Sequence, residues 1–176
     1  MRKRPLVGIL MGSASDKEVM AEAAKALEEL GVPSEMRVLS AHRTPEAVRA
    51  YLREAPRRGI RVLIAGAGMA AHLAGVAGAG SDLPVIGVPI NSSALGGLDA
   101  LLSTVQMPPG IPVATMGIGA AGARNAGLFA ARVLALSDPR LAKAYRRFAE
   151  SQAKKVLAAD RALQKERAPK KAARKK

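Results

Sequence analysis

The chain has 176 residues, of which 49% are apolar and only 2% aromatic, so it is long enough for one domain built around an aliphatic core. It contains no cysteine, which excludes disulfides, thiolate metal sites and cysteine nucleophiles and is typical of a reducing cytoplasm. The net charge of +14 is concentrated near the C-terminus, where residues 140–176 hold 14 Lys and Arg against 3 Asp and Glu.

The N-terminal residues allow two interpretations. A basic segment is followed by the apolar run Leu6–Met11 and then by small polar residues, which is also the order found in short signal peptides. The run is at the short end for a signal peptide, and we interpret it as a buried first strand. No apolar run reaches membrane-spanning length, so we expect a cytoplasmic protein.

Short apolar runs alternate with helical patterns along the whole chain. The predicted strands are Leu6–Met11, Glu35–Leu39, Arg61–Ala65, Val85–Val88 and Val113–Met116. The predicted helices are Asp16–Leu30, Pro45–Arg57, Ala70–Ala79, Leu98–Val105, Ala121–Leu136 and a last one over about 140–167. This alternation predicts a parallel sheet covered on both faces, with ligands beyond the carboxyl ends of the strands.

Small polar residues follow the first predicted strand. The hydroxyls of Ser13 and Ser15 and the free N–H groups of a helix start can bind an anion, and Asp16 can accept from ribose hydroxyls. The same residues are equally well explained without a ligand, with Ser15 as the helix N-cap and Asp16 as the complement of the helix dipole.

The run Ser40–Glu46 follows the second strand and carries one of only two histidines. His42 can change charge near neutral pH, and Arg43 is a permanent cation suited to phosphate. Thr44 is a predicted N-cap, and Pro45 fits the first position of the next helix. The run predicts acid–base chemistry on a phosphorylated small molecule, and the alternative is a capped helix with a surface arginine and an incidental histidine.

Two glycine patterns resemble a dinucleotide fingerprint but lack its context. Gly66-x-Gly68-x-x-Ala71 follows a strand, yet the next strand ends at Val88–Asn91 without the acidic residue that would hold a ribose. The second pattern, Gly117-x-Gly119-x-x-Gly122, has no following strand. Both are interpreted as tight turns, so no nicotinamide or flavin is expected. His72 either faces the site or is a buried structural histidine. The loop 91–99, which follows the fourth strand, consists mainly of small residues and is able to close over a ligand.

Six segments of the chain together resemble one enzyme family. Each segment alone is weak evidence of a relationship. All six occur in the order of the family, from about residue 6 to residue 136, and this makes the resemblance specific. The chain is similar to the N5-carboxyaminoimidazole ribonucleotide mutase family, the class I catalytic-subunit family of phosphoribosylaminoimidazole carboxylase. The segments are MGSASD, SAHRTPE, AGAGMAAHLAG, PVIGVP, SALGGLDALLSTVQMPPGIPVAT and ARNAG.

The resemblance implies a fold, a reaction and an assembly. The fold is a flavodoxin-like three-layer α/β/α sandwich with a five-stranded parallel sheet and a long C-terminal helix. The reaction belongs to de novo purine biosynthesis and moves a carboxylate from the exocyclic nitrogen of the substrate to carbon 4 of its imidazole, through carbon dioxide held in a closed pocket. It requires no ATP, metal or organic cofactor, and the family forms homo-octamers. A second branch carboxylates aminoimidazole ribonucleotide directly, and the AAHL motif favours the mutase branch.

The resemblance also implies roles for particular residues. His42 corresponds to the proton-transfer residue and Asp16 to the ribose ligand. The phosphate and nearby ligands correspond to Ser13, Ser15, Ser40 and Arg43. The wall around the base and the trapped carbon dioxide corresponds to Gly68, Ala70, Ala71, His72 and Leu73. Met69 stands where the family motif has Gly, which indicates an unusual torsion or a close approach there, and Met69 either lines the pocket more tightly or marks a shifted loop. Ala74 stands where the motif has Pro, which frees a backbone N–H and loosens the start of the helix.

We expect residues 1–137 to form the catalytic domain, 138–167 a helix that packs on the assembly, and 168–176 a basic disordered tail. Positive charge favours phosphate backbones, so a nucleic-acid or anionic-surface binder is an alternative. We favour a solvated helix face with a disordered tail, and we do not expect nucleic acid or membrane as a partner. A flavodoxin-like cofactor protein is a third interpretation.

Overall fold

The computed structural model describes residues 4–167, and the predicted tail lies outside the described residues. The strands are β1 (Val7–Met11), β2 (Ser34–Val38), β3 (Val62–Gly68), β4 (Val85–Ile90) and β5 (Ala114–Thr115). The helices are α1 (Lys17–Glu29), α2 (Pro45–Glu54), α3 (His72–Ala79), α4 (Leu98–Val105), α5 (Gly119–Ala135) and α6 (Pro139–Arg167). A 3-10 turn, Ala14–Asp16, leads into α1.

The five strands form one parallel sheet in the order β2-β1-β3-β4-β5. This is the flavodoxin-like order, and it confirms the predicted fold class. The chain moves from β1 to β2 on one side and then returns to β3 on the other side of β1. The strand order therefore reverses at β1, and the loops after β2 and β3 meet above its carboxyl end.

Both faces of the sheet are covered by aliphatic side chains. One face packs against α1 and α5 through a cluster that includes Ile9, Met20, Leu27, Ile64 and Ile86. The opposite face packs against α2 and α3 through a cluster that includes Leu10, Val48, Leu52, Leu63 and Leu73. Every residue of β1 and β4 is buried, and both strands are nearly continuous apolar runs. Such runs are recognisable in the sequence as buried strands.

The start of α6 packs on the body of the domain. Asp138 Oδ1 accepts from the backbone N–H groups of Arg140 (2.9 Å) and Leu141 (3.2 Å), so it acts as the N-cap that Pro139 follows. Leu141 is buried, and Tyr145 and Phe148 pack against the same core. Every residue from 152 to 166 is exposed, so the second half of α6 projects from the domain. No helix within residues 4–167 is long and apolar enough to cross a membrane.

Element boundaries differ from the predictions where turn geometry intervenes. The prediction extended the second helix to Arg57, but it ends at Glu54, because a turn follows in which the N–H of Ile60 donates to the carbonyl of Ala55 (3.0 Å). The third helix begins at His72 rather than Ala70, because Ala71 has a left-handed backbone that a helix cannot include.

Candidate functional site

A cavity of about 600 Å³ lies where the sheet order reverses. It is lined by the residues that follow β1, β2 and β3, with one contribution from the end of β4. All eleven site residues predicted from the sequence line it, namely Ser13, Ser15, Asp16, Ser40, His42, Arg43, Gly68, Ala70, Ala71, His72 and Leu73. The structure thus brings the predicted set together, while their individual roles stay predictions.

The segment after β1 is organised by Ser13. Ser13 Oγ accepts from the N–H of Ser15 (3.3 Å) and from the Ser15 hydroxyl (2.8 Å), and the N–H of Ser13 donates to Asp16 Oδ2 (3.2 Å). The alternative in which Ser15 caps the helix is therefore wrong, because the capping side chain is Ser13, two residues earlier, at the start of the 3-10 turn.

Asp16 is the buried acidic group of the cavity, with 7% of its surface exposed. Burial raises the pKa of this carboxyl, and the N–H of Ser13, the Ser15 hydroxyl and the charge of Arg43 oppose that rise. The hydrogen bond from the N–H of Ser13 orients the carboxylate, which can accept further hydrogen bonds from a bound ligand.

The segment after β2 forms a turn closed by Thr44. Thr44 Oγ1 accepts from the N–H of Ser40 (2.9 Å) and donates to the carbonyl of Ser40 (3.1 Å), so it makes no hydrogen bond to α2. The predicted side-chain cap is therefore wrong, because the turn brings both backbone groups of Ser40 within reach of this hydroxyl. The turn instead holds His42 and Arg43 at its tip.

Arg43 joins the loops after β1 and β2. Its guanidinium donates to the carbonyl of Gly12 (2.9 Å), and its backbone N–H donates to Ser40 Oγ (3.2 Å). A smaller adjoining cavity of about 320 Å³ shares Gly12, Ser13, Ser40 and Arg43 with the main one, but not the histidines. The cationic and hydroxyl donors therefore cluster where the two cavities meet, an arrangement suited to an anionic group.

The side chains of the two histidines of the chain are in contact at the cavity. His42 Nε2 and His72 Nδ1 are 2.7 Å apart, and the rings are nearly perpendicular, with centroids 4.8 Å apart. Both residues are exposed and line the cavity, so His72 is not a buried structural histidine. Because one nitrogen must donate and the other accept, the tautomers of the two rings are coupled.

The turn after β3 has unusual backbone torsions. Met69 has a φ of 55° and Ala71 a φ of 46°, both in the left-handed region that favours glycine. The torsion predicted at Met69 is thus confirmed, while that at Ala71 was not foreseen. The N–H of Ala71 donates to the carbonyl of Gly68 (2.9 Å) and closes the turn.

Ser92 lines the cavity but was missed as a site residue. It follows β4, in the loop 91–99, whose small residues predict a segment able to close over a ligand. A Cβ atom at Gly68 would lie 1.7 Å from Ser92 Oγ, so this hydroxyl needs glycine on the neighbouring strand. The signal available in the sequence was a polar residue at a strand end. Within residues 4–167, no group of three or more His, Asp or Glu side chains is arranged to hold a metal ion.

Comparison with known proteins places this site in a family. Residues 6–155 match the sequence model of the AIR carboxylase family. The curated N5-carboxyaminoimidazole ribonucleotide mutase of Mycobacterium tuberculosis is 55% identical over 162 residues, which cover 92% of each chain. The protein of the same name from Bacillus subtilis is 59% identical over 140 residues, covering 80% of this chain and 86% of that protein.

A solved structure gives the same result. The crystal structure of Treponema denticola PurE superposes with a TM-score of 0.83 at 34% identity, covering 91% of this chain and 99% of that chain. The fold, the cavity and these relatives define an enzyme of small-molecule metabolism. The chain belongs to the AIR carboxylase family, which confirms the resemblance predicted from its six segments.

Proposed function

We propose that this enzyme is an isomerase of purine biosynthesis that converts N5-carboxyaminoimidazole ribonucleotide to 4-carboxy-5-aminoimidazole ribonucleotide. Two curated relatives have the name of that mutase, and the matched regions cover most of each protein. The observation that carries the mechanism is the contact between His42 and His72 in a cavity that also presents Arg43 and Asp16.

The nucleotide is held through its phosphate and ribose. The phosphate lies where the two cavities meet, against Arg43 and the hydroxyls of Ser13 and Ser40, because a guanidinium and neutral donors bind an anion together. The fixed carboxylate of Asp16 accepts from the ribose hydroxyls. The imidazole ring of the substrate then faces the two histidines and the Gly68–Leu73 wall.

The reaction is a balanced transfer with one proton in and one proton out. The bond between the exocyclic nitrogen and the carboxylate carbon breaks, its electron pair stays on nitrogen, and the nitrogen gains a proton as carbon dioxide leaves. Carbon 4 then attacks the carbon dioxide and loses its own proton. His42 transfers these protons, since an imidazole is a good acid and base near neutral pH. His72 holds the ring of His42 in place. No metal or organic cofactor takes part.

The active form is a homo-octamer in the cytoplasm. The second half of α6 supports an assembly, because it is exposed along residues 152–166 and carries the apolar side chains Val156, Leu157 and Leu163. Helix α4 also presents Leu98, Leu102 and Val105 on the surface of the single chain. The second half of α6 therefore serves packing between subunits, while the catalytic residues belong to the preceding domain.

The direct test is turnover of freshly made N5-carboxyaminoimidazole ribonucleotide, followed by ultraviolet absorbance in bicarbonate-free buffer. We expect conversion well above the rate without enzyme. Aminoimidazole ribonucleotide with bicarbonate serves as the comparison substrate. Rapid carboxylation of that substrate together with no conversion of the N5-carboxylated one would contradict the proposal and favour a direct carboxylase.

A further inference from the structure

Met69 has an energetically unfavourable backbone without a compensating burial of its side chain. Its φ of 55° is one that glycine adopts freely and other residues rarely do. Its side chain is 63% exposed, so packing within the chain does not account for a methionine at this position. Strain that packing does not explain is characteristic of functional sites.

The backbone of this turn is fixed from both sides. Gly68 pairs with Ile90 in the sheet, and its carbonyl accepts from the N–H of Ala71. On the other side, Leu73 and Ala74 are buried in the core. The torsion at Met69 is therefore imposed by the fold, while its exposed side chain is not held by packing.

The side chain of Met69 lines the same cavity as His42 and His72. It is unbranched, flexible and apolar, which allows it to cover an opening and to exclude water. We propose that Met69 is a positioning residue: an apolar cover that folds across the nucleotide and slows the escape of carbon dioxide before carbon 4 captures it. This inference rests on the proposed function, because it assigns Met69 a part in that reaction.

The cover changes the partition of carbon dioxide between recapture and escape, not the binding of the phosphate. The test uses substrate with a ¹³C-labelled carboxylate in buffer that contains unlabelled bicarbonate. Mass spectrometry of the product gives the fraction of label lost per turnover. Met69→Ala removes the cover and keeps the strain, while Met69→Gly removes both. Met69→Leu keeps an apolar side chain of similar size.

We expect Met69→Ala and Met69→Gly to lose label about fivefold faster relative to product formation, which is about 1 kcal/mol in the partition. Met69→Leu should resemble the wild type, as should the matched control Leu136→Ala, which removes an exposed leucine outside the cavity. Wild-type label retention in Met69→Ala would overturn the proposal, whether or not Met69→Gly loses label. A wild-type enzyme that makes no product at all would instead contradict the proposed function, and the cover with it.

Discussion

His42 and His72 stand 30 residues apart in the chain, yet His42 Nε2 and His72 Nδ1 are 2.7 Å from each other. The contact follows from the sheet order, because β2 and β3 flank β1 and the turns that follow them meet above its end. The two rings share one hydrogen bond, which couples their tautomers and orientations. The proposed function assigns proton transfer to His42 and the positioning of its ring to His72, and variants of each residue test that assignment.

Replacing His72 tests the positioning role. In His72→Asn the ring of His42 loses its fixed partner but can still exchange protons, so kcat should fall by about tenfold or less, about 1.4 kcal/mol in barrier. Steady-state kinetics with the N5-carboxylated substrate provide the measurement. A His72→Asn enzyme as impaired as the corresponding His42 variant would show that the two imidazoles act as equals.

Replacing Arg43 tests the phosphate site. Arg43→Lys keeps the charge but loses the planar guanidinium and its bond to the carbonyl of Gly12, so KM should rise. Ser13→Ala should weaken binding less, by about 1.5–3 kcal/mol or below. Arg49→Lys is the matched control, since Arg49 pairs with Glu46 on α2 and does not line the cavity. Unchanged KM values in both site variants would remove these residues from the phosphate site.

The buried carboxyl of Asp16 lowers the stability of the fold at neutral pH, and we expect it to strengthen substrate binding. Because burial raises the pKa of its carboxyl in the folded state, its contribution to stability is greatest below the unfolded pKa of about 3.8 and is lost as pH rises through the folded pKa. At neutral pH the buried charge is therefore unfavourable. Asp16→Asn should have an equal or higher Tm at about pH 7 and a higher KM, and its gain in Tm should shrink on acidification.

Thermal denaturation at several pH values checks this prediction. The control is Asp99→Asn, which changes a carboxyl outside the cavity. A lower Tm for Asp16→Asn at neutral pH would mean that the hydrogen bond from the N–H of Ser13 and the charge of Arg43 outweigh the cost of burial.

The exposed half of α6 predicts an assembly. Leu157 is 58% exposed in the single chain, and Val156 and Leu163 on the same helix are exposed as well. Light scattering of the full chain should give the mass of eight 18.2-kDa subunits, and Leu157→Lys should lower that mass because a charge would be buried between subunits. Lys154→Arg is the matched control on the same helix. A stable wild-type monomer would contradict the octamer.

The sequence predicted the sheet and the place of the site because both depend on simple patterns. Alternating strands and helices define a doubly wound sheet, and polar residues after its strands necessarily gather at one edge. The contact between His42 and His72 was not predictable, because it depends on the order of the strands in space. Thr44 is the N-cap residue of α2, as predicted, but its hydroxyl bonds the N–H and carbonyl of Ser40 rather than α2. That choice was not predictable, because only the folded turn brings those two groups within its reach.

We propose that His42 transfers the protons of the carboxylate migration. The most direct measurement compares kcat of the wild type and His42→Asn with fresh N5-carboxylated substrate in bicarbonate-free buffer. We predict that His42→Asn folds, assembles and shows the same nucleotide-induced rise in Tm, while kcat falls by about 10²–10⁴-fold, the usual contribution of general acid–base catalysis. A His42→Asn enzyme with near-normal turnover would contradict the account, and His72 would then be the first residue to test.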